Sequence, residues 1–392
     1  MNKSPEVYLD HAATSPMLPE AIDAMTEEFA HLGNPSSLHN AGRRARRVVE
    51  ESREQIAEVF GARASEVVFT SGGTEADNLA VKGLYWARSA TDSRLRRILT
   101  TSVEHHAVLD SVHWLERDQG AEAVWLDVDD TGLVTPEVLR AALEPGGVAV
   151  TSIMWANNEV GTIQPIAELA AVAREHGVPF HTDAVQAAAQ IPVNFADSGA
   201  DALTVTGHKL GGPVGVGALI LGRGVAPVPV LHGGGQERDI RSGTLDAPAI
   251  RAFAVAAVVS ASRMDAEAKR VAALRDDLIR QVLSAAPDAV LNGPPPGPGR
   301  LPGNAHFSFP GCEGDALLLL LDAKGIECST GSACTAGVAE PSHVLLAMGA
   351  DEGRARGSLR FSLGRTTTQA DVDALGALIG EAVSRARRAA AR

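Results

Sequence analysis

The lysine in TVTGHKL (204–210) is the natural starting point, because an apolar run ends there, a glycine follows, and Lys209 sits in the turn. Burying an ammonium is costly unless it is paired or neutralised. One use for such a lysine is a Schiff base with an aldehyde cofactor; the alternative is a solvated loop side chain. In FTSGGTEADN (69–78), Ser-Gly-Gly precedes a helix opening at Thr74. Glycines such as Gly73 let the backbone approach an anion, and free N–H groups at a helix start bind it. The spacing is neither a P-loop nor GxGxxG, so no nucleotide is implied; with Thr74 as N-cap the segment is alternatively a plain helix start. In PFHTDAVQA (179–187), Asp183 closes an apolar run at what should be the carboxyl edge of a sheet, where ligands of such sheets bind. There it can pair with a protonated pyridine nitrogen, with Gln186 three residues on reaching the ring's phenolic oxygen, or it can simply cap a helix. His105 in TSVEHHAV (101–108) can stack on an aromatic ring, handle a proton, or be structural. WANNEVGTIQP (155–165) is a further loop of this kind with two amide side chains. Each signal is ambiguous singly. An anion cradle, an acid, a histidine and a lysine at the ends of successive strands together point to pyridoxal 5'-phosphate (PLP).

These residues need a scaffold that brings strand ends together. Short apolar runs predict strands near 66–70, 97–101, 123–127, 148–154, 178–182, 202–206 and 216–221. Amphipathic stretches at 74–88, 107–117, 136–143 and 165–176 predict the helices between them. Strands alternating with helices indicate an α/β layered domain with a mostly parallel sheet. Beyond Leu245 the pattern changes to a long helix from Ala247 to about Leu283, a Pro/Gly loop at 293–303, a strand around 306–309, a helix at 315–324 and a final helix after Asp371. That predicts a smaller α+β domain. The expected division is 14–260 for the large domain, with 1–13 and 261–392 forming the small one.

The formal net charge of −13, from 35 Lys+Arg against 48 Asp+Glu, argues against general nucleic-acid binding, which needs a basic face. The three cysteines, Cys312, Cys328 and Cys334, are too few for a disulfide framework. No signal-peptide pattern and no run of eighteen apolar residues is read, so a reducing cytoplasm is the expected compartment.

Long strings in the sequence are similar to those of one family. GNPSSLH (33–39), SGGTEADN, EHHAVLDS, NNEVGTIQPI, TDAVQA, GHKLGGPVGVGAL, GGGQERDIRSGT and GSACT (331–335) resemble the NifS/IscS-type cysteine desulfurases of the class V aminotransferase group. MWANNEVGTI and the stretch from GCEGDALLLLL to EPSHVL look most like actinobacterial housekeeping members. The resemblance implies the fold-type I PLP architecture, a large domain with a seven-stranded mostly parallel sheet plus a smaller α+β domain. It implies that Lys209 carries the cofactor, His105 stacks on its ring, Asp183 holds its nitrogen and Gln186 contacts its phenolic oxygen. Gly73, Thr74, Thr206 and His208 would bind phosphate, and Thr244 would reach the phosphate of the partner subunit's site in a homodimer. Asn158 would lie beside the ring, and Arg360 would clamp the substrate carboxylate, with Asn34 in a loop near it. Thr206 replaces a more usual Ser and keeps the hydroxyl; His11 stands in LDHAAT where other members have Asn.

By the same resemblance Cys334 is the catalytic thiol. Gly, Ser, Thr and Ala around it leave the backbone little restricted, which predicts a loop free to move; Cys312 and Cys328 fit buried positions. The expected reaction converts L-cysteine to L-alanine and a persulfide on Cys334. The sulfur then passes to an iron–sulfur scaffold or a tRNA-thiolation protein. No resident metal is expected, although Cys334 could transiently ligate an iron–sulfur cluster. Two other readings stay open. Another PLP reaction on the same fold, such as a selenocysteine lyase, would share Lys209 and Asp183 without needing Cys334. A PLP-free sulfur carrier would need a metal-type cysteine spacing that the sequence lacks.

Overall fold

The computed structural model describes residues 7–331 and 340–390. The chain begins with β1 (Val7–Tyr8), α1 (Pro19–Phe29) and α2 (Asn40–Val59). It then alternates β2 (Val67–Thr70), α3 (Gly73–Thr91), β3 (Arg97–Thr101), α4 (His106–Gln119), β4 (Glu122–Leu126), α5 (Pro136–Leu143), β5 (Val148–Ser152), α6 (Ile166–Glu175), β6 (Phe180–Asp183), α7 (Phe195–Ser198), β7 (Ala202–Thr206) and β8 (Gly217–Leu221). The remainder contributes α8 (Ala247–Ala285), β9 (Val290–Asn292), β10 (Asn304–Ser308), α9 (Gly314–Asp322), β11 (Ile326–Glu327), α10 (His343–Ala347), α11 (Glu352–Arg356), β12 (Ser358–Ser362) and α12 (Gln369–Ala390).

Seven strands form one sheet in the order β2-β8-β7-β6-β5-β3-β4. The pairs β3–β4, β3–β5, β5–β6 and β6–β7 are parallel, and β8 runs antiparallel to both β7 and β2. The inner strands are buried at every position except Arg97. Helices cover both faces, which is why these strands read as continuous apolar runs rather than as an alternation. One core lies around Phe69, Leu99, Phe180, Leu203 and Phe253, and another around Val68, Leu79, Ile98, Val112 and Leu219. All strands except β8 share one direction, so the carboxyl ends of β2, β3, β5, β6 and β7 lie along one edge.

A separate cluster joins Val7 and Leu9 to residues between Val271 and Ala386, around the antiparallel order β12-β10-β9. The helix α8 serves both regions: Ile250 and Phe253 belong to the first core, Leu278 and Val282 to this one. Among the described residues it is the helix long and apolar enough to cross a membrane by composition. Here its buried side chains pack against α1, α2 and α12.

Candidate active site

Each strand end on that edge delivers a polar group. After β2 the chain turns at Gly72, whose φ of +149° favours glycine, and α3 begins at Gly73 rather than at Thr74. Among the described residues no side chain caps this helix start, and its first residues, Gly73 and Thr74, line the cleft as an anion cradle would require. His105, following β3, is the N-cap of α4: its Nδ1 accepts the Ala107 N–H at 3.1 Å. The neutral ring therefore carries its proton on Nε2. Burial, then the charge of Lys209, lowers the His105 pKa to about 4. Asp183 ends β6 and accepts the Val185 N–H at 2.8 Å. Gln186 comes back from the turn that follows, not from a helix, and donates to the Ala12 carbonyl at 2.9 Å. β7 leads through Thr206 into a single 3-10 turn, Gly207–Lys209. Lys209 Nζ donates to the carbonyls of Ala12 and Ala13, 2.5 Å each, and burial lowers its pKa to about 8.

These groups line one cavity of about 340 Å³, where Gly73, Thr74, His105, Asn158, Asp183, Gln186, Thr206, His208, Lys209 and Arg360 converge. Arg360 comes from the other sheet, on β12. Its Nη2 is 2.8 Å from Asp10 Oδ1 and its Nη1 donates to the Asn158 carbonyl at 3.0 Å. Its Nε is buried without a partner among the described residues. A second cavity of about 280 Å³ shares Lys209 and Gln186 but contains neither the acid nor the helix start.

Two expected residues do not line the cleft. Asn34 is exposed and its Oδ1 accepts the Ser36 N–H at 2.9 Å. Thr244 is exposed as well. Cys334 lies outside the described residues; the cavity lining includes Gly331 and His343 on either side of it. Cys312 and Cys328 are buried free thiols, and burial pushes Cys328 up to about 12. The histidine of LDHAAT has a physical explanation. His11 Nε2 lies 3.1 Å from Thr366 Oγ1, and a Cβ on Gly364 would stand 2.3 Å from His11 Nδ1, so the ring fills space that glycine leaves.

Beneath the cleft lies a buried polar layer that the sequence reading did not single out. Asp77 is 3.6 Å from His181, which is joined to Ser152 at 2.8 Å and to Thr204 at 3.1 Å. Burial, with the charge of Asp183 adding to it, raises Asp77 well above the carboxylate range. Burial also raises Asp183, and it raises Glu104 to about 8. Polar residues inside an otherwise apolar strand, such as His181, were the available signal. The donor set fits PLP: an uncapped helix start for phosphate, an amine at a strand end, and a buried carboxylate whose ionised form requires a cation beside it. Among the described residues no cluster of His, Cys, Asp and Glu could hold a metal ion.

Residues 7–375 match the family model described as "Aminotransferase class-V". An "IscS-like cysteine desulfurase" of Mycobacterium tuberculosis is 59% identical over 384 residues, covering 98% of each chain. Among solved structures, a "NIFS-LIKE PROTEIN" superposes with a TM-score of 0.89 at 34% identity, covering 97% of this chain and 100% of that one. "SspA in complex with cysteine" gives 0.79 at 32% identity, covering 92% and 99%. The chain belongs to the NifS/IscS-like cysteine desulfurases of the class-V aminotransferase family.

Proposed function

We propose that the chain is a PLP-dependent sulfurtransferase that takes sulfur from L-cysteine, leaves L-alanine, and collects the sulfur on Cys334. The observation that carries the reading is the convergence of Lys209, Asp183, His105, the start of α3 and Arg360 in one cavity. The relatives' names, and the solved relative titled as a complex with cysteine, support the substrate.

PLP, when bound, supplies an electron sink that makes the substrate Cα–H bond breakable. The residues of the chain do the rest. Lys209, with a pKa near 8, is partly neutral at physiological pH and can both hold the cofactor and take the Cα proton. Asp183 would hold the pyridine nitrogen, Gln186 would face the phenolic oxygen, and Asn158 would lie beside the ring. Gly73, Thr74, Thr206 and His208 would hold the phosphate. His105 presents an N–H to the cleft, which suits stacking and donation better than proton abstraction. Arg360, with one N–H unpartnered among the described residues, would receive the substrate carboxylate. The Cys334 thiolate then forms the S–S bond as the Cβ–S bond breaks. The electron pair goes to Cβ, which gains a proton to become the methyl of alanine.

A fully extended chain spans about 3.4 Å per residue, and Cys334 is three residues beyond Gly331. The Cα of Cys334 is thus tethered within about 10 Å of that of a residue lining the cleft. A homodimer in the cytoplasm is part of the proposal, with Thr244 serving the partner's site and Asn34 contributing to substrate binding. An iron–sulfur scaffold or a tRNA-thiolation protein would take the sulfur onward.

Mass spectrometry after adding L-cysteine tests the reading. One extra sulfur atom is expected on the Cys334 peptide, and none in Cys334→Ser, which should keep the cofactor's absorption. Sulfide release by Cys334→Ser at the wild-type rate would overturn it.

A further inference from the structure

Glu159, the acid of the NNEVGT run, touches both ends of the segment that contains Cys334. It is 1% exposed. Its backbone is fixed first: its N–H donates to Asn157 Oδ1 at 2.8 Å, and its carbonyl accepts from Asn304 Nδ2 at 2.7 Å. Held this way, the carboxylate meets two stretches of chain eleven residues apart. At one, the backbone of Gly331 passes so closely that a Cβ there would stand 2.9 Å from Glu159 Oε2 and 3.1 Å from His306 Nε2. Gly331 also has φ of +86°, so glycine is required on two counts. At the other, Ser342 Oγ donates to the same Oε2 at 2.5 Å. That hydroxyl also accepts the Leu345 N–H at 3.1 Å as the N-cap of α10. Both ends are tied further into the cleft. Ser329 exchanges backbone hydrogen bonds with Arg360, at 3.2 and 2.7 Å, and His343 Nε2 lies 3.0 Å from the Glu104 carbonyl.

We propose that Glu159 is a positioning residue, whose carboxylate bonds Ser342 and packs against Gly331, and so fixes the base from which Cys334 presents its sulfur to the cleft. The inference rests on Cys334 being the sulfur acceptor. Glu159 lines the same cavity, but the hydrogen bonds of Lys209 and Asp183 run to other groups, so the effect proposed for it falls on the Cys334 base and not on the cofactor. Sulfur transfer requires Glu159, because the reacting thiol hangs from this base. A misplacement of about 1 Å costs a reaction on the order of a hundredfold.

The test uses Glu159→Gln and Ser342→Ala in the full chain, with two measurements. In cofactor-free protein, hydrogen–deuterium exchange of the peptide spanning 342–348, which carries the Ser342 cap and the helix it starts, should speed up roughly tenfold or more in both variants. In PLP-loaded protein, the rate at which Cys334 gains sulfur from L-cysteine, read by rapid-quench mass spectrometry, should fall about tenfold to a hundredfold. The cofactor's absorption change on adding L-cysteine should keep its wild-type amplitude and concentration dependence. Exchange and sulfur gain at wild-type rates in both variants would overturn the proposal. So would a loss of the absorption response equal to the loss of sulfur transfer, which would mean a general disturbance of the site. If Glu159→Gln fails to fold, Ser342→Ala decides alone. Wild-type protein that never gains sulfur on Cys334 would sink the acceptor reading, and the exchange measurement would still judge the clamp.

Discussion

Burial takes proton affinity from Lys209, and the effect is measurable without cofactor. In the unfolded chain the amine keeps its proton up to about pH 10.4; in the folded protein it keeps it only to about 8. Between those values the unfolded state binds more protons, so this group makes stability rise with pH. Below pH 8 the folded state carries a buried ammonium at a cost on the order of 3 kcal/mol. Cofactor-free Lys209→Met should therefore be more stable than wild type at pH 7. The difference should shrink as pH rises from 8 to about 10.4, as read by urea denaturation at each pH. A variant no more stable than wild type at pH 7 would contradict the account. At this scale Lys209, Asp183 and His105 were legible because a titratable side chain stood at the end of an apolar run. Asp77, Glu104 and Asp10 were not. Their surroundings come from elements far apart in sequence, and nothing local marks an acid on α3 as lying beneath the end of β6.

Elements place these groups through a few tight approaches. α3 can present its start to the cleft because Gly72 adopts φ of +149° and because Gly217 on β8 lets the backbone of Gly72 pass, a Cβ there standing 2.9 Å from Gly72 Cα. A non-glycine residue held at such a φ costs about 1–3 kcal/mol. Gly72→Ala should weaken PLP binding by roughly tenfold or more while the fold persists. A PLP titration followed by absorbance measures the first effect and far-UV circular dichroism the second. Unchanged affinity would remove the cradle from the site. The strands of the large sheet were readable as apolar runs, with ends displaced by one or two residues. β12 was not, because SLRFS places Arg360 in the middle of a fully buried strand, where the charge breaks the apolar pattern. β1 and β11, two residues each, pair only with one another and carry no periodicity to detect.

At the scale of the molecule, we propose the division into 14–260 and 1–13 with 261–392, with α8 passing between the two cores. The cleft lies where they meet, since Arg360 and Lys209 come from opposite sides. A single chain leaves part of the expected site unused. Thr244 is exposed beside Glu237, Arg238 and Asp239, three successive residues at φ of 47°, 58° and 61°, a conformation that L side chains adopt at a cost. The turn is held from within: Arg53 forks onto Glu237 at 2.7 and 2.6 Å, and Glu237 Oε2 accepts the Phe69 N–H at 2.8 Å. Near Asn34 in sequence, Leu32 and Leu38 are 90% and 85% exposed. We propose that Thr244, exposed and outside the lining of its own cleft, serves the cleft of a partner subunit related by a two-fold axis. Mixing subunits tests this. Lys209→Ala and Thr244→Ala each lack one part, but a mixed dimer contains one site with Lys209 from one chain and Thr244 from the other. If the variants are denatured together, refolded and assayed at limiting PLP, activity should return to about a quarter of wild type, because random pairing makes half the dimers mixed and half their sites intact. Activity no greater than the average of the two variants alone would place Thr244 outside the partner's site.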